Sequence, residues 1–195
     1  MMRLGHGGTI AAFGLWLCLF PSAGAAEPAY VAVVRAYVDK LVKPMVDTPL
    51  VRRSIEDQNV KFGNVSEMDI RVLDDTYRAE AQSGQGQMMR RLLAKPVSLY
   101  LKSRQDDSQG AIVELFVTDR HGLNVGQSTV TADYWQGDED KFLKTFAKHS
   151  NEIFIDRAER DDQTQRLETQ ASFVIKDDGG KPIGTATVTI AIDAL

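Results

Sequence analysis

The 195-residue chain holds one cysteine, three histidines and two tryptophans. The cysteine, Cys18, lies in an apolar N-terminal run behind Trp16 and Leu17, where a lipidated cysteine needs small residues. Once that run is removed no cysteine is left, which excludes disulfides, thiol catalysis and cysteine-ligated metal together. His6, His121 and His149 stand far apart and have no acids at ligand spacing, so no zinc site is expected. No block of lysine and arginine occurs and the formal net charge is −4, which gives nucleic acid no electrostatic footing. No apolar stretch reaches the ~20 residues of a membrane-spanning helix. Ser128 and Ser172 lack a glycine elbow with a nearby histidine. Gly84-Gln85-Gly86 follows no strand, so it is not a phosphate loop. Glu159, Asp161 and Asp162 lack the spacing and the glycine of a calcium loop, and a solvated acidic turn is the expectation there. These absences leave no catalytic residue, cofactor or metal to assign, and an enzyme is not expected.

What is present begins with a leader. Arg3 is followed by the apolar run Thr9–Phe20, then Pro21, then the small residues Ala23-Gly24-Ala25. This is the layout of a cleavable secretory signal. Residues 1–25 are read as a signal peptide cut after Ala25, with Ala26 the neighbouring choice and an uncleaved anchor the alternative. Cleavage removes one arginine and no acid, moving the net charge from −4 to −5. The mature chain, 26–195, is expected as one soluble periplasmic domain with no membrane span. It must fold on its apolar core alone, and ~170 residues suffice for that.

Residues 26–110 read as helical. Tyr30, Val33, Val34, Tyr37, Val38, Leu41 and Val42 recur at helical spacing, and Pro44 bends or ends that stripe. Asp47-Thr48-Pro49 supplies a capping side chain and a proline where its missing N–H costs nothing. Ser66-Glu67-Met68-Asp69 starts another helix, with Ile70, Leu73, Tyr77 and Val72 towards the interior. Gly84 and Gly86 mark a break, and further helix follows around Pro96.

Residues 111–195 read as strands. Ala111–Val117 is rich in β-branched residues, Asp119–Gly122 is a hairpin turn, and Leu123–Ser128 returns. Gly137–Phe146 suggests a short helix with Phe142, Leu143 and Phe146 inward. Ile153–Ile155, Leu167–Ile175 and Pro182–Ile192 complete five strands, the last two joined by Asp177-Asp178-Gly179-Gly180. The fold class expected is α+β, with N-terminal helices packed on a five-stranded antiparallel sheet.

The run "FVTDRHGLNVGQS", the connection "VGQSTVTADYWQGDE" and the closing "GKPIGTATVTIAI" together resemble a single Cache domain, the PAS-like extracytoplasmic sensor module, in its stand-alone periplasmic form. The first helix and "DTPLVRRSIEDQN" are similar to the entry of that type. The resemblance spans about Pro28 to Leu195. It implies a ligand pocket between the concave sheet face and the loops after the second strand. It also implies a small-molecule ligand, and a membrane sensor kinase or chemoreceptor as partner.

On that mapping the pocket wall includes Tyr134, Trp135 and Gln136, with Asp133 and Gln136 fixing polar groups of the ligand. The other reading of "DYWQGDED" (Asp133–Asp140) is a packed turn, with Trp135 anchoring the loop and Tyr134 pointing outward. Arg157 follows the third strand. It either faces the pocket, where its planar fork suits a carboxylate, or makes a surface ion pair with Glu159 or Glu168. Two functions remain in play: a ligand-binding sensor, and a non-enzymatic structural or interaction protein whose pocket is filled by its own side chains.

Overall fold

The structure is a computed structural model that describes residues 27–195; the expected signal peptide, 1–25, lies outside the described residues. The chain opens with helix α1 (Ala29–Tyr37), a π-helical turn (Val38–Val42) and α2 (Lys43–Val46). Val34, Val38, Val42 and Val46, four apart, are all fully buried or nearly so. With 3.6 residues per turn, a four-residue repeat drifts by about 40° at each step. The wider π turn takes up that drift and keeps the valines on one line. Pro44 follows at once, in the first turn of α2, where its missing N–H is tolerated. The buried stripe is thus narrower than the spacing predicts: Val33 and Leu41 are exposed.

Helix α3 (Pro49–Lys61) starts as expected, with the Thr48 hydroxyl accepting the Val51 N–H at 3.3 Å. Helix α4 (Glu67–Ser83) has a full capping box between Ser66 and Asp69 and ends on Gly84 at φ 68°. It buries Ile70 and Tyr77, while Val72 is exposed. Helices α5 (Gln87–Leu93) and α6 (Pro96–Asp107) complete the helical half.

Strands β1 (Ile112–Thr118), β2 (Asn124–Gln127), β3 (Phe154–Ile155), β4 (Glu159–Arg160), β5 (Leu167–Lys176) and β6 (Pro182–Ala191) form one antiparallel sheet. Its order is β2-β1-β6-β5-β3, with β4 also pairing β5. Six strands replace the expected five: β3 falls within the expected Ile153–Ile155, and Glu159, expected in an acidic turn, instead belongs to the added strand β4. Between β3 and β4 the Asp156 carbonyl accepts the hydroxyls of Tyr30 (3.1 Å) and Thr169 (2.7 Å), and the Tyr30 oxygen accepts the Ala158 N–H at 3.1 Å. Those bonds draw the backbone out of the ladder.

One sheet face, including Leu115, Val117, Phe173 and Val188, packs against the helices through Val34, Ile55 and Leu101. The opposite face is polar. Thr118 pairs with Thr185 at 2.7 Å and Ser172 with Thr187 at 2.9 Å, all four buried. Helix α7 (Asp140–Leu143) lies against β5. It is shorter than the expected Gly137–Phe146, because the Thr145 hydroxyl bonds back to the Lys141 carbonyl and competes with the backbone. Phe142 is inward and stacked on Phe146, but Leu143 is exposed.

A second, smaller core joins α4 and α5 to the β1–β2 hairpin: Ile70, Tyr77, Met89, Leu92, Leu123 and Tyr134. Gln58 ties α3 to that hairpin. Its amide donates to Asp119 Oδ2 at 3.0 Å and accepts the Lys95 ammonium at 3.1 Å.

Candidate functional site

The loop after β2 is held from outside the sheet. Asp74 on α4 is buried, and its Oδ1 accepts the backbone N–H groups of both Tyr134 and Trp135 at 2.9 Å. Its Oδ2 takes the Arg78 Nε–H at 2.7 Å, and Arg78 Nη2 reaches Asp133 Oδ1 at 2.8 Å. One turn of α4 therefore clamps three consecutive loop residues. Burial still raises the Asp133 carboxyl above its ordinary value, with Arg78 pulling the other way.

Each residue picked out from the sequence now has a place. Asp133 faces Arg78, and its carbonyl accepts the amides of Asn124 (3.0 Å) and Gln136 (2.9 Å). Tyr134 is buried, not outward. Its ring lies 5.7 Å from that of Tyr77, and burial first, then Asp119 and Tyr77, raises its phenol. Trp135 turns its indole to the β1–β2 hairpin, donating from Nε1 to the His121 carbonyl at 2.8 Å. Gln136 is buried and accepts the Lys141 ammonium at 3.1 Å. Residues 133–136 thus form one bonded unit.

Arg157 is apart from that unit. It is exposed, its backbone N–H caps Asp156 Oδ1 at 2.8 Å, and neither Glu159 nor Glu168 pairs with it among the described residues. It stands on the wall shared by two clefts. The larger, about 640 Å³, runs over the polar sheet face between the Glu139–Lys141 turn and the 156–163 hairpin, with Glu168, Gln170 and Thr189 on its floor. The neighbouring cleft, about 420 Å³, is bounded by Tyr30, Arg35, Lys144 and Phe154. The 133–136 unit meets the larger cleft only through Lys141, which bridges Gln136 and Glu139 (2.8 Å to Oε2).

The space beneath 133–136 is filled from within. The Tyr77 hydroxyl accepts the Gln127 amide at 2.6 Å and lies 3.2 Å from the Thr131 hydroxyl. Asn124 donates to both Gln127 (3.2 Å) and Thr131 (2.9 Å).

Sequence reasoning missed Asp74, Glu114, Lys141 and Glu168. Two of them left a signal. Asp74 shares the inward face of α4 with Ile70 and Tyr77, and Glu114 interrupts an otherwise apolar strand. Glu114 lies opposite Thr189 in the ladder, and its carboxyl accepts the Thr129 hydroxyl at 3.3 Å. Burial pushes it up to about 7, against Lys141 and Thr129.

The molecule is an α+β domain whose antiparallel sheet carries helices on one face and a loop layer on the other, the architecture that the Cache resemblance implies. No family model and no curated protein matches the chain. Among solved structures it is similar to the sensor domain of DcuS from E. coli, with 10% identity and a TM-score of 0.49, over 84% of this chain and 92% of that one. It is also similar to the ligand-binding domain of the Campylobacter jejuni chemoreceptor Tlp3, in complex with 4-methylisoleucine, at 19% identity and a TM-score of 0.37. That match covers 76% of this chain and 62% of the Tlp3 domain.

Proposed function

We propose that the chain is an exported, soluble, small-ligand-binding sensor module of the periplasm, read by a membrane sensor kinase or chemoreceptor. It binds and does not catalyse. The observation that carries this reading is the cleft over the polar sheet face. Interior hydroxyls such as Thr118 and Thr185 are buried and satisfy one another, whereas Gln170 and Thr189, though bonded to each other at 3.4 Å, line open space beside Arg157. Polar groups converging on a concavity are what a small-molecule site requires. In this reading Arg157 is the ligand-facing charge, suited to a carboxylate. Gln136 acts through Lys141, and Asp133, Tyr134 and Trp135 are the frame of the wall.

A second reading has its own support. The Tyr77–Gln127–Asn124–Thr131 network fills the space under the loop, as in a structural or interaction protein whose pocket is occupied by its own side chains.

A thermal-shift screen with carboxylates, amino acids, purines and amines separates the two, since a ligand at ~100 times its dissociation constant adds ~2.7 kcal/mol of stability. A hit is then titrated against Arg157→Ala and Trp135→Ala. Loss of affinity in a fully folded Arg157→Ala protein supports the cleft. Affinity unchanged in both variants, or no hit at all, favours the self-filled protein.

A further inference from the structure

We propose that the cleft is gated by a proton: Glu114 and Glu139 compete for the ammonium of Lys141, and protonation of Glu114 decides which of them holds it and how closely α7 sits over the sheet. The consequence for ligand affinity rests on the reading above; the movement does not.

Lys141 belongs to α7, which lines the cleft, yet its side chain is only 13% exposed. Its ammonium is bonded to Glu139 and Gln136 and lies 5.6 Å from the centre of the Phe116 ring. Glu114 is two residues before Phe116 on β1, so the two share a sheet face. It makes no ion pair among the described residues, and its single hydrogen bond comes from Thr129.

The charged and titratable groups facing Glu114 are few. Lys141 and Glu139 come from the α7 segment, Glu168 from β5, and Tyr77 from α4. Thr189 lies opposite on β6. Lys141 is thus the cation set against Glu114 and Glu139, while Arg166 is the cation beside Glu168. A buried carboxylate without a cation is costly, and taking up a proton removes that cost. The carboxyl pushed up to about 7 reflects this balance.

Below neutral pH, Glu114 is neutral and Lys141 stays with Glu139 at the rim. Above it, ionised Glu114 draws Lys141 inward and away from Glu139. Lys141 is the side-chain bridge between Gln136 and Glu139, beside a backbone bond from the Glu139 N–H to the Gln136 carbonyl at 3.2 Å, so its move inward opens that bridge at the wall of the cleft.

The test follows side-chain carboxyl and backbone amide NMR signals of the full chain against pH, with no ligand added. Amides of residues 136–143 are expected to shift with a midpoint near that of Glu114, and Glu114→Gln should abolish the transition. Lys141→Met should raise the Glu114 midpoint by about one pH unit or more, and Glu139→Gln should lower it. A purely structural Glu114 would move none of these. Histidines titrate in the same range. An amide transition that survives Glu114→Gln and disappears in His121→Gln overturns the proposal. So does a Glu114 midpoint left unmoved by both the Lys141 and Glu139 substitutions. A proton-driven shift in a protein that takes no ligand would sink the sensor reading and leave the gate standing.

Discussion

Asp74 holds Trp135 from 61 positions away in the chain, its Oδ1 accepting the Trp135 backbone N–H at 2.9 Å while also taking that of Tyr134. Asp74→Ala would orphan two N–H groups and strip Arg78 of a partner. A loss of about 2–4 kcal/mol is expected, since each unsatisfied buried group costs ~1–3 kcal/mol. Asp74→Asn keeps one acceptor and should lose less. Urea unfolding of both variants measures this, and a loss below ~1 kcal/mol for alanine would show that the loop is held elsewhere.

Lys95 carries a pH signature. Burial first, then Lys61, depress its ammonium from 10.5 to about 8, with Asp119 opposing. The unfolded chain binds this proton more tightly than the folded one, so stability rises as pH climbs from about 8 to 10.5. At ~1.4 kcal/mol per pH unit the gain is ~3 kcal/mol. Lys95→Met should flatten that rise relative to the parent protein. Chemical denaturation at pH values across this window compares the two slopes, and identical slopes would count against the assignment.

Gly184 passes so close to β1 that a Cβ there would stand 1.9 Å from the Thr118 carbonyl oxygen. Backbone cannot step aside cheaply in the middle of a ladder. Gly184→Ala should therefore cost more than the ~1 kcal/mol typical of a point substitution. It should also pull β6 from β1, seen as lost amide protection at Thr118 and Thr185. A folded alanine variant with wild-type melting temperature would contradict this.

The leader is testable without any structure. Intact-mass analysis of the periplasmic fraction should find a chain beginning at Ala26 or Glu27. Recovery of Met1-containing protein from the membrane fraction would overturn the export reading.

Much of the fold was legible because its signals are local. Thr48-Pro49, the Ser66/Asp69 box, Gly84 and the Asp119–Gly122 turn each act within a few residues, and each sits where the spacing places it. The alternation of Thr185, Thr187 and Thr189 with Ala186, Val188 and Ile190 gave the faces of β6 for the same reason. The misses arose where distant groups decide. Tyr30, 126 positions from Asp156, helps to separate β3 from the unexpected β4, and nothing near Ile155 announces it. The inward turn of Tyr134 depends on Asp74 and Tyr77, and the π turn that redirects Val33 and Leu41 answers to packing on the sheet. Arg157 follows β3 by two residues and lines both clefts, whereas Trp135 lies eight residues beyond β2 and turns its indole to the β1–β2 hairpin.

The bonds from Tyr30 to Asp156, Arg35 to Ile153 and Asn59 to Ile183 span 126, 118 and 124 residues. The helical half thus takes its final position on strands that a ribosome makes last. High sequence separation of this kind slows folding, because chain ends must meet before any contact rewards them. During synthesis the main core of α1, α3 and α6 on the sheet lacks β5 and β6, and only the smaller core of α4, α5 and the β1–β2 hairpin has all its residues before they are made. If the chain is exported as proposed, that delay is an advantage, because the main core closes only after the last strand has passed.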